Sequence, residues 1–165
     1  MTFTANQAFT SFDTSLDAVS NASLAFNRLS TDEQLGLLWK IYDNMGGMVT
    51  PAATGASTLH FAQGLLDKVQ SLSHDDQLNF MRDLVNRTNT DLTRAYGVLT
   101  NNTKLAFWFQ LAEMMRAGEV VPVPKFYALP AAAKAVLNQI VQLEFNQQIT
   151  LLRKSVVSMG YDPFA

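Results

Sequence analysis

The segment Leu105–Met115, LAFWFQLAEMM, constrains this chain more than any other, because as a helix it has almost no face to offer water. Successive helical residues sit about 100° apart, so Phe107, Trp108 and Phe109 together cover roughly 200° of the circumference. Gln110 and Glu113 remain as a narrow polar seam. Leu105, Trp108, Ala112 and Met115 form one apolar stripe and Phe107, Leu111 and Met114 another, more than a helix needs to pack on a single layer. Two arrangements satisfy this pattern. One is a central helix enclosed by protein; the other has protein on one side and an apolar ligand on the other, a setting that wide rings and pliable thioethers line well.

Composition points the same way. Charged residues are 16% of the chain and apolar residues 48%, with 11 Phe and 7 Met, so much of the surface is neutral and a buried partner, oligomer or ligand is favoured. The 165 residues suffice for one compact domain, expected here over 1–165. A net charge of -2 without charge blocks gives no electrostatic case for nucleic acid or an anionic membrane. With no Cys there are no disulfides, no thiolate catalysis and no cysteine metal site, which fits a reducing, cytoplasmic setting. The opening MTFTANQAFTSFD lacks a basic start and a continuous apolar core, so no secretory signal and no membrane span are expected. The N-x-[ST] triplets at Asn21, Asn86 and Asn101 are then chance matches.

Helix punctuation is legible along the chain. Ser30 and Glu33 have the spacing of a capping box before LGLLWKIYDNM, which should stop at Gly46-Gly47. Further helices are expected over about Ser57–Leu72, from Ser73 as cap to near Asn86, over Asn89–Val98, and over Asn101–Ala117 with Gly118 beyond. Pro130 suits the first helical position before AAAKAVLNQIVQL, and Asn146 could cap QQITLLRKSVVSM, which Gly160 would end. Short helices near Thr4–Phe12 and Asn21–Leu29 complete an all-α chain, and the prolines of EVVPVPKFYALP force an extended course there.

Sliding the chain against itself by about 70 residues reveals an internal correspondence. LSTDEQLGLLWKIYDNM lies over LTNNTKLAFWFQLAEMM, Leu66, Val69 and Leu72 over Leu137, Ile140 and Leu143, and DQLNFMRDLV over QQITLLRKSV, with Arg82 over Arg153. Helical patterning alone produces some such matches, but a duplication explains the shared order of elements. Two similar helical halves would bury their richest apolar helices against each other, and the seam between them would suit a long apolar ligand.

LSTDEQLGLLWKIYDNMG, LVNRTNTDLTRAYG, KLAFWFQLAEMMRAGEVVPVP and QQITLLRKSVVSMGYD resemble the N-terminal domain of the orange carotenoid protein family over essentially the whole chain. The resemblance implies an all-α fold of two pseudo-symmetric helical sub-bundles around a central tunnel holding a keto-carotenoid, such as canthaxanthin, echinenone or 3'-hydroxyechinenone. It places Trp39 and Tyr42 beside the polyene and Trp108 and Phe109 as an aromatic wall near a terminal ring. Leu35, Met81, Leu105, Met115, Val123, Ile149 and Met159 would fill the remaining tunnel, with Leu38 and Val156 beside them on the same helix faces. Trp39 and Tyr42 are three apart, as are Leu35 and Leu38, so these side chains share one side of a helix. Taken without the resemblance, such aromatics more often mean core.

The chain departs from the family at two points. The family commonly has Tyr where this chain has Phe109, so a phenolic hydroxyl is missing, and its second, mixed α/β domain is absent. The resemblance then implies a pigment held constitutively, without a photocycle, and serving singlet-oxygen quenching or carotenoid carriage. Antenna quenching at thylakoid-bound phycobilisomes is the alternative, with Arg153 as the docking residue; four residues after Ile149 and three before Val156, Arg153 is otherwise an ordinary snorkelling surface Arg. A separate carrier resembling the missing C-terminal domain would be a further partner. A pigment-free helical interaction module is the reading from another class. Catalysis has little support: His60 and His74 are the only histidines, no metal-ligand or phosphate-loop motif is present, and Asp75 and Asp76 suit the first turn of a helix.

Overall fold

The computed structural model describes residues 17–45 and 56–165. These form helices α1 (17–27), α2 (Thr31–Met45), α3 (Ala56–Gln70), α4 (His74–Asn86), α5 (Asp91–Gly97), α6 (Asn101–Ala117), α7 (Ala131–Ile140) and α8 (Phe145–Val157), with no strand among the described residues. The expected helix at Thr4–Phe12 and the Gly46-Gly47 stop lie outside the described residues.

Side-chain oxygens at the helix starts account for most of these boundaries. Ser73, Thr90 and Thr100 accept hydrogen bonds from the backbone N–H groups of Asp76, Thr93 and Thr103, at 3.1, 3.1 and 3.3 Å, satisfying donors that have no partner within the helix. At α2 the Glu33 N–H donates to Ser30 Oγ at 3.3 Å, as the capping box requires, but the Glu33 carboxylate takes the Ser30 hydroxyl at 2.7 Å. Gly118 ends α6 in the left-handed region at φ 78°. Several expected boundaries move. Pro130 is the N-cap of α7 with extended ψ 153°, one residue before the helix. Asn146 does not cap α8, because Glu144 and Gln147 form a capping box whose N-cap stands two residues earlier. The helix expected at Asn21–Leu29 occupies 17–27.

The packing reproduces the internal correspondence. Helix α2 lies against α4 and α7, and α6 lies against α8 and α3. Exchanging α2 with α6, α3 with α7 and α4 with α8 turns one set of contacts into the other, so each half lends its middle helix to the other half. Even a loop closure repeats: the Gln77 amide donates to Leu72 O at 3.1 Å, and Gln148 donates to Leu143 O at 2.9 Å.

Each of the two seam helices is apolar on two sides. Phe107 and Leu111 of α6 are fully buried in the core, where Phe107 meets Phe80 and Tyr96 edge-on at 6.2 and 5.4 Å. Leu37 and Ile41 do the same for α2. Burial of side chains this large is worth about 1.5–3 kcal/mol each and fixes these helices to their neighbours.

Gln77, 1% exposed, also holds the proline segment. Its amide nitrogen donates to Val69 O at 3.1 Å as well as to Leu72 O, and its oxygen accepts from the Val121 N–H at 2.7 Å. Gln77→Leu therefore strands the Val121 N–H and is expected to lower unfolding free energy in urea by about 1–3 kcal/mol. Gln148→Leu, removing one bond at a half-buried position, should cost less.

Candidate functional site

A cavity of about 330 Å³ lies between α2 and α6, walled also by α4, α8 and the segment 121–127. Helix α2 lines it from Asp32 to Met45, a run of about 20 Å at 1.5 Å per residue. The slot is therefore elongated. The stripe Leu105, Trp108, Ala112 and Met115 faces it together with Phe109, while the Phe107–Leu111 stripe faces the core. Helix α6 thus has protein on one side and a cavity on the other.

Aromatic rings make a continuous wall. Trp39 and Tyr42 pack at 5.5 Å, and Tyr42 meets Phe109 edge-on at 5.7 Å. Trp108 is held by a buried tether: its indole Nε1 donates to the Tyr96 hydroxyl at 3.0 Å, and that hydroxyl donates to Val156 O at 2.5 Å. Tyr96 is fully buried, which pushes its phenol far above the usual range despite the opposing Trp108 donor. Lys104 Nζ sits 5.5 Å from the Tyr96 ring and donates to Val157 O at 3.2 Å. Burial lowers the Lys104 ammonium, opposed by the nearby Asp162 carboxylate.

Polar pairs bracket α2 at both ends. At its start Arg82 grips Asp32 with two bonds, at 2.8 and 3.2 Å. At its far end the Tyr42 hydroxyl donates to Glu113, and Arg116 binds Asp43 at 2.7 Å while lying 5.0 Å from the Tyr42 ring. Burial first, then the bond to the Glu113 carboxylate, pushes the Tyr42 phenol up to about 12.

Twelve of the residues anticipated from sequence line this cavity. They are Leu35, Leu38, Trp39 and Tyr42 on α2, Met81 on α4, Leu105, Trp108, Phe109 and Met115 on α6, Val123 in the proline segment, and Ile149 and Val156 on α8. Two do not. Arg153 is exposed and Met159 is buried beside a separate, more polar hollow near Asn86 and Arg87, because both sit on the side of the α8 region turned away from the seam. Sequence reasoning missed Arg82 and Asp32, Pro122 and Pro124, and the contact of Gly36 with Tyr127. A glycine inside an otherwise strong amphipathic helix was the signal for a close approach at Gly36. Phe109 meets the Tyr42 ring, so the absent hydroxyl leaves the wall itself intact.

An all-helical protein with a long, aromatic-walled apolar slot between two related halves belongs to the class that encloses extended lipophilic molecules. The chain belongs to the orange carotenoid protein N-terminal domain family, whose pattern matches residues 13–162. An orange carotenoid-binding domain-containing protein of Nostoc sp. is 48% identical over 170 residues, covering 100% of this chain and 99% of the relative. The orange carotenoid-binding protein of Synechocystis sp. is 41% identical over 163 residues, which are 98% of this chain and 51% of that protein. The chain thus spans about half the length of that relative. Among solved structures, the Anabaena (Nostoc) orange carotenoid protein binding canthaxanthin is 43% identical with a TM-score of 0.83, over 88% of this chain and 46% of that one. The red carotenoid protein of the same organism, also binding canthaxanthin, is 39% identical with a TM-score of 0.76, over 87% of this chain and 99% of that one.

The Tyr42 latch has a pH signature. A phenol raised from 10 to about 12 in the folded protein favours the protonated fold. Its stabilisation is whole below pH 10 and is lost as pH rises through about 12. Denaturant midpoints measured from pH 9 to 12 should therefore fall, and Tyr42→Phe should flatten part of that fall while the other raised phenols, Tyr96 and Tyr127, retain the rest.

Proposed function

We infer that this chain, acting as one unit over 1–165, binds a keto-carotenoid in the slot between α2 and α6 and serves photoprotection. The observation that carries this is the match of shape and lining: a slot about 20 Å long, with rings along one wall and aliphatic side chains along the others. The polyene, when bound, accepts excitation from singlet oxygen or an excited pigment and releases it as heat. The protein's part is physical. Trp39, Tyr42 and Phe109 offer ring faces and edges to a flat conjugated chain, Trp108 is kept in one orientation by Tyr96, and the apolar lining excludes water. The residue types fit such a ligand, since most polar groups around the slot already have partners in the protein.

Canthaxanthin, echinenone and 3'-hydroxyechinenone are the pigments considered, and singlet-oxygen quenching with carotenoid carriage is the favoured role. Among the described residues no helix is long and apolar enough to cross a membrane. A cytoplasmic location accords with the cysteine-free composition. Arg153 supports a second reading, docking to thylakoid-bound phycobilisomes: it is exposed and has no ion pair among the described residues, so its charge is available to a partner. A separate carrier resembling the family's second, mixed α/β domain would load the pigment.

The test is the visible spectrum of the protein purified from a carotenoid-producing host. A red-shifted carotenoid band should co-purify with the wild type. In Trp108→Ala the pigment-to-protein ratio should fall on the order of tenfold, the loss of about 1.4 kcal/mol of binding, with far-ultraviolet circular dichroism checking the fold. A colourless, folded wild type would leave only the helical interaction module.

A further inference from the structure

The polar side chains facing the slot divide by whether the protein already satisfies them. Arg82 is engaged by Asp32, the Tyr42 hydroxyl by Glu113 and the Trp108 indole by Tyr96. The Tyr127 hydroxyl has no hydrogen-bond partner among the described residues, although Tyr127 lines the slot. Its position is nevertheless fixed. A Cβ at Gly36 would stand 2.0 Å from the Tyr127 oxygen and 2.9 Å from Cζ, so the ring end rests in a notch that only glycine leaves open on α2. The other end is tied down, because the Tyr127 N–H donates to Pro124 O at 3.0 Å within a segment stiffened by Pro122 and Pro124. Burial, and then the neighbouring Asp32 and Glu33 carboxylates, hold this phenol above its usual range, so at neutral pH it is a donor. Trp39, one turn further along α2, brings the other slot donor without a partner among the described residues, and its ring packs on Tyr42 at 5.5 Å.

A donor fixed in an apolar slot and left without an acceptor discriminates for a ligand that brings one, because a ligand lacking it strips water from this half-buried hydroxyl and leaves it unpaired. We propose that the Tyr127 hydroxyl donates a hydrogen bond to an oxygen substituent on a terminal ring of the bound carotenoid, and so selects ring-oxygenated pigments over hydrocarbon ones. This rests on the carotenoid reading above.

The experiment loads apoprotein with an equimolar mixture of canthaxanthin and β-carotene, which share a carbon skeleton and differ in the ring carbonyls, and reads the bound ratio after extraction. The wild type should favour canthaxanthin, and Tyr127→Phe should cut that preference by about threefold to tenfold, the worth of one neutral hydrogen bond, through canthaxanthin alone. In the wild type, a carbonyl infrared band of bound canthaxanthin should fall below its position in hexane. That measurement needs no variant, so an unshifted band overturns the assignment even if Tyr127→Phe fails to fold. An unchanged ratio in the variant, no preference in the wild type, or an unshifted carbonyl band overturns the assignment to Tyr127 and leaves carotenoid binding standing. A wild type that takes up neither pigment overturns both.

Discussion

The structure turns on the way α2 and α6 face each other without filling the space between them. Each is anchored on its outer side by residues that reach full burial, Leu37 and Ile41 for α2, Phe107 and Leu111 for α6. Each also carries an inner side of large apolar groups that meets a slot rather than another packed layer. Close-packed interiors tolerate few voids. A slot of this size persists because the helices lining it are held from behind, and because the polar pairs at the two ends of α2 fix it to α4 and α6.

Polar groups keep this apolar arrangement in register. Gln77 joins the α3–α4 turn to Val121, so the proline segment becomes a fixed wall. The Trp108–Tyr96–Val156 tether does the same for the widest ring in the slot and ties α5, α6 and α8 together. A buried hydrogen bond contributes modestly when made, but its loss costs the full desolvation of the stranded partner, so such bonds enforce one arrangement more than they add stability.

The parts of this design that follow from local spacing were legible in the sequence. The cap at Ser73, the Gly118 exit and the repeated stripes of α2 and α6 are set within a turn or two, and the structure has them where the pattern put them. The start of α8 was displaced because Glu144 and Gln147 compete successfully with Asn146, a contest that residue preferences alone do not rank. Met159 was expected at the slot from the resemblance, and Arg153 because it stands four residues after Ile149 and three before Val156. Helix rotation carries them away from it, and only the packing of α8 on α6 sets that rotation. The Gly36 notch needed the distant Tyr127 to give it meaning, and no local rule joins residues so far apart in the chain.

The exchange of middle helices has a consequence for how the molecule comes into being. Because α2 rests on α7 and α3 on α6, neither half of the repeat owns a complete core. During synthesis the first half leaves the ribosome with the outer side of α2 still lacking its cover, and the contact that supplies it waits for residues 131–140. Contacts this far apart in sequence close late and slowly. The two halves are therefore interlocked rather than docked: they are separated only by unfolding, and the slot between them exists once the chain is nearly whole.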